Sequence, residues 1–422
     1  SCLWKGLAMS RDVIVLGGGI VGVATAIHLA KRGRSVLLVD RREPGRETSY
    51  GNAGIIQREG VRPRTFPRDI ASIVRVAQNQ STDARYSLSV LPELAGPLFR
   101  YWLESEPERY KRTVAEYAPL IGRSIETHAE LIEEAGAEDL IVRKGWISAF
   151  RTSEVLEREV AAAEGDRRDY GINFAALDGA ALKAAEPNIQ IEMAGGIHWL
   201  DPWTVTDPGA LVSAYADLFT TLGGTIAVGD AATLEQWQTG WSVRTNDGIE
   251  TARDVVIALG AWSREATAKL GYSLPLFVKR GYHMHYGDKG GTVLNHCMLD
   301  AEGGYMLAPM RKGIRITTGA EFSPRDAEPT PIQLERAERT ARKLLPLGAR
   351  VDPQPWMGSR PCTPDMKPII GAAPRHSNLW FGFGHAHHGF TLGPVTGKLL
   401  AQAITGETPE VALAPFSAAR FL

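Results

Sequence analysis

The segment Arg11–Asp40, RDVIVLGGGIVGVATAIHLAKRGRSVLLVD, restricts the fold more than any other part of the chain. DVIVL is a short β-branched apolar run stopped by glycine, the pattern of a strand buried on both faces. Gly17, Gly19 and Gly22 then make G-x-G-x-x-G. IVGVATAIHLAKRG reads as a helix with a basic last turn and Gly33 as its stop. SVLLVD is a second buried strand, ending on Asp40.

The spacing carries chemistry. Gly17 permits the tight turn, Gly19 lets a pyrophosphate approach the backbone, and Gly22 lets the helix pack on the strand. The helix start at Ile20 and Val21 turns its free amides to the phosphates. Asp40, 18 residues after Gly22, is placed to accept hydrogen bonds from a ribose diol. It would also repel a 2′-phosphate, so Arg41 and Arg42 are read as solvated or beside the adenine. A Rossmann-type dinucleotide unit is expected.

Length and composition set the frame. A chain of 422 residues suggests two or three domains. A net charge of −1 offers no basic excess for nucleic acid. No apolar run reaches the ~18 residues of a membrane span. Cys2, Cys297 and Cys362 share no close spacing and fit a reducing compartment. The opening SCLWKGLAM lacks the apolar stretch of a secretion signal. The expectation is a cytoplasmic protein, with attachment to the inner face of the membrane or to a partner subunit left open.

Downstream, ETSYGNAGIIQ is a polar, small-residue loop, and DVVIALG returns late as another strand ending at Gly260. With GGGIVG, TSYGNAG, VVIALGAWS, VKRGYHMHY, GSRPCTPDMKPIIG and GHAHHGFTLGPVTGKLLA, the chain resembles the FAD-dependent amine oxidoreductases of the D-amino-acid oxidase, glycine oxidase and D-amino-acid dehydrogenase superfamily. The resemblance runs from Asp12 to about Gly406 and looks closest to the D-amino-acid dehydrogenases, including those acting on D-hydroxyproline. It implies noncovalent FAD. It places Ser49, Asn52, Ala53 and Gly54 along the flavin and its linker, Ala258, Gly260 and Trp262 on the returning strand, and Ala231 near the adenine. Gly384, His388, Gly389, Phe390 and Thr391 would face the flavin pyrimidine from the last loop and helix.

The expected architecture combines α/β and α+β parts. A FAD-binding domain (residues 9–85, 205–265 and 350–410) interleaves with a substrate domain (86–204 and 266–349) built on an antiparallel or mixed sheet with helices. The implied reaction is dehydrogenation of a D-amino acid, small or cyclic such as D-proline or hydroxy-D-proline, by hydride transfer from Cα to the flavin. The electrons leave to a quinone, an electron carrier or O2. An oxidase of glycine- or sarcosine-type amines and a flavin subunit of a heteromeric dehydrogenase are the alternatives.

Such chemistry needs a cation for the substrate carboxylate and an apolar wall for its side chain. Arg360 is the candidate clamp, through the planar fork of its guanidinium, and it also counts among the cofactor contacts. Its competing role is pairing with Asp365. Tyr282 and Tyr305 are either substrate-wall residues or core. On the first of their strands His283 and His285 share one face while Tyr282, Met284 and Tyr286 share the other, so only one group meets the ligand. His385, His387 and His388 crowd one glycine-rich loop, yet no carboxylate lies within the run, and no metal is expected. By the same resemblance His387 is the substrate-facing candidate, expected to titrate near neutral pH, with His385 supporting the loop and His388 offering mostly backbone.

Overall fold

The computed structural model describes residues 10–69, 84–86 and 88–422; the opening SCLWKGLAM lies outside them. Arg11–Leu16 forms a strand whose Val13–Leu16 are fully buried. It pairs in parallel with Val36–Asp40 on one side and Gly248–Ile257 on the other. Thr225–Trp237 and Leu379–Phe383 extend the parallel order outward. Gly240–Thr245 and Ile369–Ala372 add antiparallel pairings and complete a seven-stranded sheet. Helix Ile20–Lys31 crosses between the first two strands as the glycine spacing requires.

A second helix, Gly389–Thr405, lies along the first. A Cβ at Gly393 would sit 2.8 Å from the Ile20 side chain, and one at Gly397 would sit 2.5 Å from the backbone of Ala24 and Thr25. The contacts advance by four residues on both helices in the same direction. The two helices are therefore parallel, with i±4 ridges interlocked and both N-termini at one end. Pro394 has no N–H for the Phe390 carbonyl one turn back. His128 supplies that bond from Nε2 at 2.9 Å, while its Nδ1 meets the Tyr215 hydroxyl at 2.9 Å. A carbonyl only accepts, so Nε2 carries the proton. Burial pulls this imidazole down to about 4 and keeps it neutral.

The second sheet has ten strands among the described residues. Phe277–Tyr286 pairs antiparallel with Gly313–Thr318, Ala320–Phe322 and Trp356–Cys362. The sheet continues through Tyr305–Met310, Cys297–Asp300, Trp146–Phe150, Gly195–Trp199 and Phe174–Asp178. One face is covered by helix Ile332–Leu344, where Tyr282, Met284, Tyr286, Tyr305 and Leu307 pack on Leu334, Ala337, Ala341 and Leu344. By alternation the other face carries Lys279, Gly281, His283 and Arg360.

The two parts interleave along the chain, though not at the boundaries read from sequence. Trp356–Cys362, expected in the FAD-binding part, pairs residue for residue with Phe277–His283 in the second sheet. Ala84–Tyr86 likewise joins that sheet through Ala320–Phe322. Helices Pro107–Ile121 and Ser124–Ala135, expected with the substrate part, bury Tyr117, Leu120, Ile121, Leu131 and Ile132 in the core around helix Ile20–Lys31. An apolar stripe fixes that a helix is buried but not against what.

Gly397→Ala tests the parallel helix pair. The added methyl meets backbone, which cannot swing away, so denaturant unfolding should show a loss of about 2–3 kcal/mol through a lower midpoint with unchanged slope.

Candidate active site and cofactor cleft

One continuous cavity of about 1710 Å3 runs between the parts. Common small-molecule sites span roughly 300–1000 Å3, so this one has room for a dinucleotide and a small substrate together. At one end it is lined by Gly17, Gly19, Ile20, Val21, Asp40, Arg41, Ala231, Ala258, Gly260 and Trp262. Gly17 has φ +112°, and a Cβ there would lie 2.1 Å from the Ala258 carbonyl oxygen. Helix Ile20–Lys31 has no acid in its first turn, and of its leading amides only that of Ile20 is taken, by the Ser49 hydroxyl, which leaves the next ones for phosphate oxygens. Asp40 is fixed by amides of Gly18 (2.5 Å) and Arg42 (3.3 Å). Arg41 lies 4.3 Å above the Trp262 ring and pairs with Glu47.

The loop at 49–54 forms the middle of the cleft, with Ser49, Asn52 and Ala53 on its wall. Ser49 Oγ accepts from the Ile20 amide at 3.1 Å, and Asn52 Oδ1 from the Gly54 amide at 2.8 Å. Buried Arg315 donates to the carbonyls of Tyr50 (3.3 Å) and Asn52 (2.5 Å) and to His285 Nε2 (3.0 Å). His285 in turn donates from Nδ1 to Asp352 at 2.6 Å. The face of Phe277–Tyr286 that carries the histidines meets the cleft through Lys279 and Gly281, with His283 and His285 behind the wall.

At the far end stand Arg360, Lys279, Arg64 and His387. Arg360 donates to the carbonyls of Gly319 (3.1 Å) and Thr318 (3.3 Å), and has no acidic partner among the described residues. Asp365, the alternative partner, is taken by Arg420 at 2.7 Å. A Cβ at Gly281 would come within 2.5 Å of the Arg360 guanidinium, so the glycine makes room for it. Desolvation lowers the pKa of Arg360.

The histidines divide as their surroundings dictate. His385 Nε2 bonds Thr396 at 2.9 Å and His388 Nδ1 bonds the Tyr117 hydroxyl at 2.6 Å; burial pulls both rings to about 3. The His388 side chain is thus a structural anchor, beyond the backbone role expected of it. His387 stays on the cavity wall. Burial first, then the charges of His388, Arg64, Arg360 and Lys279, push its pKa well below the ordinary value. Its ring is neutral throughout the physiological range, which corrects the expectation of titration near pH 7.

Tyr282 and Tyr305 border the cavity, yet their rings belong to the core under helix Ile332–Leu344. The Tyr282 hydroxyl donates to Glu321 (2.7 Å) and accepts from Arg280 (3.0 Å) and the Thr330 amide (2.8 Å). Its capacity is spent inside the fold. Tyr305 sits by Asp300 and Arg151, and burial raises its pKa. Gly22, Gly54, Gly384 and Thr391 stand behind the wall rather than on it. Gly54, at φ +75°, passes 2.4 Å from the Val205 carbonyl as measured to an added Cβ. Thr391 donates to the Ile55 carbonyl at 3.1 Å. Gly389, Phe390 and His388 line the cavity at the second helix start.

The lining residues, the open glycine turn and the two uncapped helix starts fit a bound dinucleotide of FAD size. Residues 12–403 match the family described as FAD dependent oxidoreductase. The chain belongs to that family. A D-amino-acid oxidase of Bradyrhizobium diazoefficiens is 30% identical to this FAD-dependent oxidoreductase over 98% of the chain and 99% of the relative. A D-amino acid dehydrogenase of Methylobacterium nodulans is also 30% identical, over 97% and 99%. Glycine oxidase from Geobacillus kaustophilus shares the fold at a TM-score of 0.72 and 23% identity, covering 98% and 99%. The chain is an FAD-dependent enzyme that oxidises amino acids. No described helix is long and apolar enough to cross a membrane.

Glu59 was not singled out from sequence. It lies on the cavity wall, buried, with Oε1 accepting from Trp146 Nε1 (2.8 Å) and Gln57 Nε2 (2.9 Å) while Oε2 has no partner. Desolvation raises its carboxyl from 4.5 to about 7. The folded state holds this proton more tightly than the unfolded chain, so the residue costs stability as pH rises from 4.5 to 7. Above pH 7 the full cost stands, about 3 kcal/mol by linkage. Glu59→Gln should therefore stabilise the protein at pH 8 and leave it nearly unchanged at pH 4.5, as read by denaturant unfolding at both values.

Proposed function

We propose that this enzyme dehydrogenates a small or cyclic D-amino acid, with D-proline and hydroxy-D-proline as representative cases, to the corresponding imine. The observation that carries the reading is Arg360, a cation without an acidic partner among the described residues, placed on the cavity floor with donors in reserve. Its fork takes the substrate α-carboxylate. Glu321 and Thr330 hold Tyr282 in place behind it, so the floor is rigid. His387, neutral, offers a ring donor or acceptor to the substrate without adding charge. Trp356 and Tyr101 supply apolar wall.

FAD, when bound, accepts the hydride lost from the substrate Cα. Residues Gly17, Gly19, Ile20, Val21, Asp40, Arg41, Ala231, Ala258, Gly260 and Trp262 would hold its ADP half, with Ser49, Asn52 and Ala53 along the middle. His388, Gly389 and Phe390 would meet its far end, where the uncapped helix start at Gly389–Thr405 favours negative charge. Cys362 is buried and burial raises its thiol pKa, which makes it a poor nucleophile and supports noncovalent attachment. Among acceptors, a quinone, an electron carrier and O2 are separated by turnover in air against turnover with a redox dye.

The preference for the D form rests on the kinship to D-amino-acid enzymes, and the small or cyclic side chain on the neutral His387. Arg360→Ala tests the clamp. It should retain FAD while substrate affinity, read from the rate of anaerobic flavin bleaching against substrate concentration, falls about 10²–10³-fold, the usual result of stranding a buried charge partner. Unchanged affinity would remove Arg360 from the substrate site.

A further inference from the structure

Three cations, Arg64, Lys279 and Arg360, line the substrate end of the cavity, and none has an acidic partner among the described residues. Lys279 and Arg360 are direct cross-strand partners on the same face of the second sheet. Like charges at directly opposed positions destabilise a sheet, so the pair calls for an anion. Lys279 is held in place without being neutralised. Its ammonium lies 4.7 Å from the centre of the Tyr101 ring and 5.6–5.7 Å from those of Phe322 and Phe277. The loop bearing Arg64 is pinned by the same tyrosine, whose hydroxyl donates to the Arg64 carbonyl, and by Tyr110, which donates to the Pro63 carbonyl at 2.8 Å. The fields of all three cations converge on His387.

The charges at hand do not balance three cations. The pyrophosphate belongs to the glycine turn on the other sheet, and the α-carboxylate of an amino acid needs Arg360 alone. Glu59, also on the cavity wall, forms no ion pair with any of the three; its Oε1 accepts from Trp146 and Gln57.

We infer that Lys279, with Arg64, forms a second carboxylate site beside Arg360, so that the preferred substrate is a small amino acid carrying two carboxylates. This rests on the amino-acid reading above and, within its small-side-chain branch, selects acidic side chains in preference to the cyclic, neutral ones. In this arrangement the α-carboxylate takes the planar fork of Arg360, and the side-chain carboxylate takes the point charge of Lys279.

The test uses the FAD-loaded enzyme and ligands that cannot be oxidised. Malonate, succinate and glutarate are titrated against propionate, butyrate and pentanoate, with the flavin absorption spectrum and the heat of binding as readouts. At least one dicarboxylate should bind tenfold or more tightly than the monocarboxylate of equal length. Lys279→Met should cancel that advantage while weakening the monocarboxylate less than threefold, and Lys279→Arg should keep it. Arg64→Met should reduce it in part. Equal wild-type affinities for the two series would overturn the site whether or not any variant folds, and so would equal weakening of both series by Lys279→Met. Substrates separate this inference from the reading beneath it. Bleaching of the flavin by D-alanine or D-proline with no gain for D-aspartate or D-glutamate removes the second carboxylate site and leaves amino-acid oxidation standing. No bleaching by any amino acid removes both.

Discussion

The parallel contact between helices Ile20–Lys31 and Gly389–Thr405 is the constraint on which the rest of the structure depends. Parallel helices set side by side bring two positive ends to the same place, an arrangement that water alone does not reward. Here it is made close by Gly393 and Gly397, whose missing side chains admit Ile20 and Ala24. It is made regular by His128, which satisfies the carbonyl that Pro394 leaves bare. The result is that segments more than 350 residues apart in sequence present free amides to a single cavity. A long anionic cofactor lying between them offsets the paired dipoles.

The second sheet supplies what the first cannot. Its helix-covered face stores the aromatic bulk, with Tyr282, Tyr286 and Tyr305 in one core, and its other face carries cations and small residues toward the cleft. Arg315 ties the two halves, because one guanidinium holds the carbonyls of the 49–54 loop and the His285–Asp352 pair together. The 49–54 loop and the cleft-facing side of the second sheet are thus held together by Arg315.

What the sequence disclosed followed the range of each interaction. The strand, glycine turn, helix, strand and Asp40 lie within thirty residues, and their spacing is their mechanism. Arg360 was legible as a clamp through its guanidinium fork, and the structure sets it on strand Trp356–Cys362. Its freedom from Asp365 was not, since Arg420 reaches that carboxylate from the far end of the chain. The alternation along VKRGYHMHY correctly divided tyrosines from histidines, but which face looks inward depends on where helix Ile332–Leu344 lands. Gly281 was the missed clue, because a glycine there serves the Arg360 fork. Lys279, sharing its face, follows from the same clue. The pKa of His387 was misjudged because its setting is assembled from three separated cations and the desolvation of its place on the cavity wall.

The most direct measurement of the central claim is the anaerobic absorbance of the bound flavin near ~450 nm, the oxidised-flavin band, during mixing with matched D- and L-enantiomers of a panel of amino acids. The account predicts bleaching by D-enantiomers and persistence of the band with their L-counterparts. A band that survives every amino acid, or that bleaches only with L-enantiomers, would contradict it.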